Sequence, residues 1–350
     1  MNSEITTITH LAREYPRRGD QLNRIFECDV EVIPCEDGFL CSTVDTISEE
    51  LSMGLVQDVK SQAWLTITAS ASDLAAAGAV PLQFSCQIGA TQAWRQQFET
   101  IFLETAREAS QYYGGELTEV RFFETEKLMT SCAAIGWSKT YPKQRLGLRP
   151  GDQLYLTGPV GWGNAVAFAN LALRPKAPAM AQALDVEYRP KARTDWRELL
   201  AEFAGAVLDT SDGLLFSLDL YQQLNPVGLE VHYRPELFHP VALKVAQSAH
   251  VNPWLFFAAQ NGEFELLFSI PKSRIIEFER RVQIEGRVAL HVGQVVEDHG
   301  LFFRRQDLRQ KIDISELRNL LHDRVDPAKY IQTMLAFAAQ ERIEFQETDF

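Results

Sequence analysis

The sequence lacks the signals that mark several common classes of protein. It has five cysteines but no CxxC pair, which argues against a zinc site and is typical of reduced thiols in the cytoplasm. No apolar run is long enough to span a membrane, because the longest, residues 165–173, is interrupted by Asn170. The N-terminus also lacks the apolar core of a signal peptide. We therefore expect a cytoplasmic protein with no membrane partner.

The motifs of several enzyme classes are missing as well. There is no GxxxxGK[ST] sequence for a P-loop and no GxSxG nucleophile elbow. The seven histidines are scattered without the spacing of metal ligands. The turn Gly158–Gly163 does not follow the GxGxxG order of dinucleotide-binding proteins. It lies between a predicted strand and a predicted helix, where it either holds a phosphate or is an ordinary turn.

Basic segments are also absent. The formal net charge is −13, and no run of lysine and arginine occurs, which argues against nucleic acid as a partner. The overall field would repel an anionic substrate unless a cation neutralised it locally. The charge balance therefore mildly favours a site that uses a metal ion.

Length and periodicity predict two domains that mix strands and helices. An alanine-rich stretch that stops at Gly78 predicts a long helix over 58–77, and apolar residues at helical spacing predict another over 92–112. Short apolar runs around them predict strands. Proline and glycine break the pattern over 141–149. We therefore expect an α+β fold with an N-terminal domain over 1–145 and a C-terminal domain, ending in a helical tail, over 146–350.

The most informative stretch is Asp209–Leu214 (DTSDGL). The apolar residues 206–208 predict a strand that ends at it, and leucines at helical spacing predict a helix that follows. Ser211 or Asp212 would cap that helix. A cap needs one such side chain, whereas this turn carries two carboxylates and two hydroxyls, and like charges this close repel each other. The turn is therefore either a Mg²⁺–phosphate site or a capped helix beside a solvated aspartate.

Two further aspartates have unusual positions. Asp45 lies at the end of a predicted strand, in CSTVDTI. Asp73 lies in ASASDLAAAGAVP, a helical stretch of small and apolar residues where a lone charge is costly unless it faces water or a partner. Both are candidates for a binding site. The alternatives are an ordinary strand-end turn for Asp45 and a solvated helix face for Asp73.

Taken together, these stretches resemble the thiamine-monophosphate kinase family. This family belongs to a superfamily with aminoimidazole-ribonucleotide synthase, selenophosphate synthetase and the hydrogenase-maturation dehydratase. SASDLAAAGAVP and DTSDGL are the specific matches, and weaker ones follow the family's order in THLAREYPRR, CDVEVI, STVDTISEE, LRPGDQLYLTGPVGWGNA and NGEFELLFSIP. The resemblance implies two mixed domains, with ATP and Mg²⁺ bound along the N-terminal domain near a homodimer interface.

The resemblance also implies roles for individual residues. The metal ligands would be five aspartates, Asp29, Asp45, Asp73, Asp209 and Asp212. ATP would be bound by four residues, Thr43, Glu124, Arg145 and Ser211. Glu263 would face the phosphoryl acceptor. Carboxylates suit such a site because Mg²⁺ prefers hard oxygen ligands, and phosphoryl transfer needs mainly positioning and charge neutralisation.

Several positions depart from the family pattern. Cys28 replaces the first aspartate of a Gly-Asp-Asp motif, and residues 122–125 (FFET) replace Gly-Gly-Asp-Thr. Ser52 stands where a substrate-side histidine is expected. The expected acceptor contacts therefore differ most from the family, and the metal ligands of the second half differ least.

We accordingly predict a Mg²⁺- and ATP-dependent phosphotransferase that acts on thiamine monophosphate or another small acceptor. The main alternative is an ATP-dependent synthetase of the same superfamily, in which a second nucleophile attacks a phosphorylated oxygen. A third hypothesis is a catalytically lapsed relative that binds nucleotide or a partner protein. We also expect a homodimer, because the strands predicted over 39–44 and 82–88 are apolar with little charge, and as sheet edges they must be covered or paired.

Overall fold

The computed structural model describes residues 6–7, 10, 14, 19, 21–24, 26–183, 187–305, 308–318, 320 and 326–340. The N-terminal helix implied by THLAREYPRR lies largely outside these residues. Two sheets flanked by helices make up the described part, which confirms the predicted α+β class. Among the described helices, none combines the length and apolar character that a membrane span requires.

The N-terminal sheet has five strands in the order β1-β2-β5-β3-β4. In chain order the strands are Glu31–Cys35 (β1), Gly38–Thr46 (β2), Val80–Ala90 (β3), Glu116–Glu124 (β4) and Met129–Ser138 (β5). All neighbours are antiparallel except β3 and β4. The expectation that residues 39–44 and 82–88 form edges is wrong, because β2 and β3 are interior strands. Apolar composition indicates burial or pairing, but it does not fix the order of strands in a sheet.

Three helices accompany this sheet, namely Ser48–Met53 (α1), Val59–Ala77 (α2) and Gln92–Tyr112 (α3). The carboxylate of Asp58 caps α2 by accepting a bond from the backbone N–H of Ser61 at 2.7 Å. Gly78 ends α2 in the left-handed conformation, as its position in the sequence predicts. Because its residues are small, α2 is buried on nearly every side and packs between the first sheet, α3 and the second sheet. Asp73 is therefore held where the two halves of the chain meet.

The C-terminal sheet has seven strands in the order β12-β11-β8-β10-β6-β9-β7. In chain order the strands are Gln153–Leu156 (β6), Val207–Asp209 (β7), Gly228–His232 (β8), Leu266–Ile270 (β9), Leu290–Val296 (β10), Leu301–Arg305 (β11) and Leu308–Ile312 (β12). Only β8 and β11 pair in parallel. The two sheets fall on either side of the predicted boundary at 145/146.

Eight α-helices follow in the described part of the C-terminal half. They are Trp162–Phe168 (α4), Pro178–Ala183 (α5), Arg197–Phe203 (α6), Leu214–Leu224 (α7), Pro240–Ala249 (α8), Leu255–Ala258 (α9), Ile275–Ile284 (α10) and Pro327–Gln340 (α11). In the described part of the predicted helical tail, Pro327–Gln340 is helical. The largest apolar core also takes in Leu55 and Leu65 from the first half, so the two halves share one packed interior.

Candidate functional site

A cleft of about 770 Å³ is lined by residues of both halves of the chain. Its wall is strongly acidic, with nine carboxylates, Asp29, Glu31, Asp45, Glu49, Glu50, Asp73, Asp209, Asp212 and Asp219. It also carries two arginines, and both are paired. Arg145 contacts Asp29 at 2.6 Å, and Arg318 contacts Asp219 at 2.6 Å. Among the described residues, the cleft therefore has no unpaired cation for an anionic ligand.

Three of these carboxylates meet at one point. Asp29, Asp73 and Asp209 each place one oxygen within 4.8 Å of the others. Asp29 precedes β1, Asp73 lies on α2, and Asp209 ends β7. The three residues come from distant parts of the sequence, so the tertiary fold brings them together and no local motif does. We name this group the carboxylate trio.

The trio is only partly satisfied by the protein. Asp73 accepts a hydrogen bond from the Thr43 hydroxyl at 2.5 Å, and Asp209 Oδ1 accepts one from the Ser211 hydroxyl at 3.1 Å. Asp29 Oδ2 and Asp209 Oδ2 are buried and have no hydrogen-bond partner within the described residues. A buried carboxylate oxygen without a donor is costly. The trio is therefore the point in the cleft where a bound cation would be most stabilising.

The electrostatics of the trio support this conclusion. Burial, followed in size by the neighbouring charge of Asp29, raises the pKa of Asp209 to about 7. Burial also raises the pKa of Asp73 well above its usual range, followed in size by the effects of Asp209 and Asp45. Both causes disfavour the ionised form of the group. A divalent cation removes that penalty, and a set of carboxylate oxygens is the donor set that Mg²⁺ prefers.

Most of the residues implied by the resemblance line this cleft. Asp45 and Asp212 lie on its wall outside the trio, and Thr43, Arg145 and Ser211 line it as well. Glu124 does not line it. This residue ends β4, an edge strand of the first sheet, opposite Ala90. Its assignment to ATP remains a prediction.

The start of α7 differs from the cap that the sequence predicts. The N-cap is Gly213, and no side chain forms a capping hydrogen bond, so the expected cap by Ser211 or Asp212 is wrong. Gly213 has a φ of 84°, and a Cβ there would lie 2.5 Å from the carbonyl oxygen of Ala259. The positive φ and the close approach of Ala259 therefore both favour glycine at this position of the turn. Three polar residues of the turn, Asp209, Ser211 and Asp212, line the cleft.

The Gly158–Gly163 turn is filled by a carboxylate of the protein itself. Glu263 accepts backbone hydrogen bonds from Trp162 at 2.8 Å and Gly163 at 3.3 Å, where α4 begins. Burial raises the pKa of Glu263 to about 8. The carboxylate occupies the position that a phosphate would take at a helix N-terminus, which favours the ordinary-turn interpretation. Glu263 does not line the cleft, and its role toward the acceptor remains a prediction.

One cleft residue escaped the sequence reasoning. Glu50 lies on α1, and its Oε2 is buried without a hydrogen-bond partner in the part of the chain that the structure describes. Burial raises its pKa to about 8, with smaller contributions from Asp45 and Asp212. The available signal was an acidic pair, Glu49-Glu50, directly after the strand that ends at Asp45. Such a pair usually marks a solvated helix start, so it does not by itself indicate a binding site.

The raised pKa values predict that metal-free protein loses stability as the pH rises. The folded pKa of Asp209, about 7, lies above its unfolded value near 4, so the folded state binds more protons between them. The free energy of unfolding should therefore decrease from about pH 4 to about pH 7. Mg²⁺ binds the ionised form, so it should raise Tm more at about pH 8 than at about pH 5.5. Thermal unfolding with and without Mg²⁺ checks this, and equal shifts at both pH values would contradict it.

The contacts of Glu263 predict a structural effect of its removal. Glu263→Ala leaves buried backbone N–H groups without an acceptor, so the free energy of unfolding should fall by about 1–3 kcal/mol. Glu263→Gln should lose less, because the amide carbonyl can still accept. Urea unfolding measures both changes. If Glu263→Ala unfolds like the wild type but binds the acceptor more weakly, the assignment to the acceptor would be correct instead.

Comparisons with known proteins agree with this geometry. Residues 28–137 match the AIR synthase related protein, N-terminal domain. The thiamine-monophosphate kinase of Pyrococcus horikoshii is 24% identical over 250 residues, covering 71% of this chain and 75% of the relative. That of Aquifex aeolicus is 23% identical over 266 residues, covering 75% and 83%. The solved structure of AaThiL complexed with AMPPCP and TMP has a TM-score of 0.72 at 21% identity, covering 89% of this chain and 97% of that one.

The structural match spans both sheets, so the whole two-domain fold is shared and not only the N-terminal half. The sequence matches extend well beyond residues 28–137 and cover about three quarters of the chain in the Aquifex relative. They also confirm the family that SASDLAAAGAVP and DTSDGL indicate. The chain is thus similar to thiamine-monophosphate kinases over about three quarters of its length, and its residues 28–137 match an N-terminal domain of the AIR-synthase type.

Proposed function

We propose that this protein transfers the terminal phosphoryl group of ATP to thiamine phosphate in a Mg²⁺-dependent reaction. The observation that carries the proposal is the carboxylate trio, with its two buried and unpartnered oxygens, inside a cleft large enough for small-molecule ligands. The thiamine-monophosphate kinase relatives and the AMPPCP and TMP bound by the solved neighbour support the choice of substrates. The reaction needs mainly positioning and charge neutralisation, which such a cleft can provide.

The trio would hold the metal ion, with Asp45 and Asp212 near it on the same wall. Bound Mg²⁺ supplies positive charge that neutralises the phosphates. The Thr43 hydroxyl fixes the carboxylate of Asp73 through its hydrogen bond. Because the cleft arginines are paired with aspartates, free ATP would meet mostly negative charge. We therefore expect the nucleotide to bind together with its cation.

In this proposal Arg145 contacts the nucleotide as well as Asp29. One of its terminal nitrogens contacts Asp29, while its buried Nε has no acceptor within the described residues. That N–H donor is left for a phosphate oxygen, to which guanidinium groups bind strongly. Arg145 would thus orient one trio member and contact the nucleotide.

The changes at Cys28 and Glu124 do not remove the metal site from this proposal. The Cys28 thiol donates to the carbonyl oxygen of Lys143 at 3.0 Å, and burial raises its pKa to about 12. It therefore stays a neutral thiol and is not available as a thiolate ligand. The trio is complete without it. This favours an active enzyme over the lapsed relative.

Charge removal in the trio should act differently from hydroxyl removal. Asp73→Asn and Asp209→Asn should each lower kcat/KM more than about 100-fold, with partial rescue by excess Mg²⁺, because a metal ligand is lost. Ser211→Ala removes one hydrogen bond of about 0.5–1.5 kcal/mol, so its effect should not exceed about tenfold. Steady-state assays with ATP and thiamine phosphate measure both effects.

The same assay distinguishes the rival reaction. Formation of ADP and a doubly phosphorylated thiamine supports the kinase, whereas ADP with free phosphate and a different product supports the synthetase. Near-normal turnover of both asparagine variants would contradict a metal site at the trio. Full loss of thermal stability in either variant would point to a structural role, so Tm is measured alongside.

We also propose a homodimer formed by the outer face of the N-terminal sheet. The two long helices cover the opposite face, and the pairing register places four exposed apolar side chains on the outer one, Ile33, Val44, Phe123 and Met129. Val44 alone is 70% exposed. Several exposed apolar side chains on one face of a sheet favour an interaction site on that face.

Val44→Glu should therefore shift the protein from dimer to monomer, since it places a charge in the proposed interface. Sedimentation velocity at micromolar concentration measures the change. Ile276→Glu is the matched control, because Ile276 is 84% exposed on α10 of the other half and should leave the dimer intact. A monomeric wild type would contradict the proposal.

A further inference from the structure

The segment that carries Glu50 is fixed by both halves of the chain. Glu50 lies on α1, and its carbonyl oxygen accepts a hydrogen bond from the Leu55 N–H at 2.9 Å. Leu55 is fully buried, and its own carbonyl accepts from the Asn170 side chain at 2.8 Å. Gly54 closes the helix in the left-handed conformation. The backbone of Glu50 is thus anchored, which holds its side chain on the cleft wall.

One oxygen of the Glu50 carboxylate has no partner within the described residues. Its Oε2 is buried and unbonded, and no ion pair with Glu50 occurs in that part of the chain. The backbone N–H of Glu50 itself favours the ionised form, but the neighbouring charges of Asp45, Asp212 and Glu49 all have the same sign. An ionised carboxylate only accepts hydrogen bonds. A ligand that brings a donor or a positive charge to Oε2 would therefore be stabilised there.

Other buried glutamates show what a structural carboxylate looks like here. Glu230 accepts from Arg304 and Arg309, Glu263 accepts from the N-terminus of α4, and Glu265 accepts from Thr157. Among the described residues, only three carboxylates have a buried oxygen with no hydrogen-bond partner, namely Asp29, Asp209 and Glu50. All three line the cleft. Glu50 therefore shares this property with two members of the carboxylate trio.

Glu50 is not a member of the trio. In the part of the chain that the structure describes, only Asp29, Asp73 and Asp209 bring carboxylate oxygens close enough to share one ion. Gln260 and Phe264 line the same cleft, and the buried Tyr330 lies near the charge of Glu50. A carboxylate beside an aromatic ring suits an organic cation better than a small, strongly hydrated metal ion.

We propose that Glu50 binds a cationic group of the phosphoryl acceptor and so makes the cleft selective for positively charged acceptors. This inference rests on the function proposed above and assigns the acceptor side of the same cleft. The positively charged thiazolium ring of thiamine phosphate is such a group. Glu50 is then a specificity-determining residue, whereas the trio serves the metal and the nucleotide.

The test compares two ligands that differ only in charge. Thiamine phosphate and its analogue with a neutral thiophene ring are titrated calorimetrically into the full chain with Mg²⁺ and a non-hydrolysable ATP analogue. The wild type should prefer the cationic ligand by at least about tenfold, and Glu50→Gln should reduce the preference below about threefold. Affinity for the ATP analogue should not change. Glu50→Asp, which keeps the charge but withdraws it, should give an intermediate preference.

Glu36→Gln is the control, because it removes the same charge from an exposed residue that does not line the cleft. The cationic preference should survive in it, since an exposed charge is screened by water. The proposal is overturned if the wild type shows no preference or if Glu50→Gln keeps it. It is also overturned if Glu50→Gln changes the Mg²⁺ requirement instead, which would make Glu50 a metal ligand.

The outcome is separable from that of the proposed function. If thiamine phosphate is phosphorylated but Glu50→Gln keeps the preference, the kinase assignment stands and the role of Glu50 is wrong. If Glu50→Gln abolishes a wild-type preference although no phosphoryl transfer occurs, the role of Glu50 stands and the kinase assignment is wrong. If the wild type binds neither ligand, both are wrong.

Discussion

The repulsion among buried carboxylates is the constraint on which the rest of this structure depends. Two members of the trio have oxygens that receive no donor from the protein, and burial together with like charge raises the pKa of both Asp73 and Asp209. Folding can place such groups together only because the surrounding core supplies the stabilisation. The carboxylates of the cleft therefore lower the free energy of unfolding, and a bound cation would raise it again.

Helix α2 makes that arrangement possible. Its alanines and serines let the first sheet, α3 and the second sheet approach it closely, and Asp73 is its one acidic residue. A helix with larger side chains would keep the two sheets apart and separate Asp73 from Asp209. The small residues of SASDLAAAGAVP thus have a structural role. They set the distance between the two halves of the site.

The sequence allowed much of the fold to be predicted, and less of the site. The alanine-rich stretch before Gly78 and the helical periodicity before Gly114 predicted the two long helices correctly, since these signals are local. The order of strands depends on pairing across the chain, so the edge strands were assigned wrongly. Asp73 and Asp209 stood out because a charge is unusual in their surroundings. Glu50 did not, because an acidic residue at a helix start is ordinary until the fold buries it.

The carboxylate of Glu263 at the start of α4 has a consequence for ligand stoichiometry. A helix N-terminus attracts phosphate, and this chain has one directly after a glycine-rich turn. Because Glu263 is tethered to the same molecule, its effective concentration at those N–H groups is far above that of free phosphate or nucleotide in solution. An external anion would have to displace the Glu263 carboxylate, which is covalently part of the same chain. The Glu263 carboxylate thereby holds these N–H groups in place of an external phosphate.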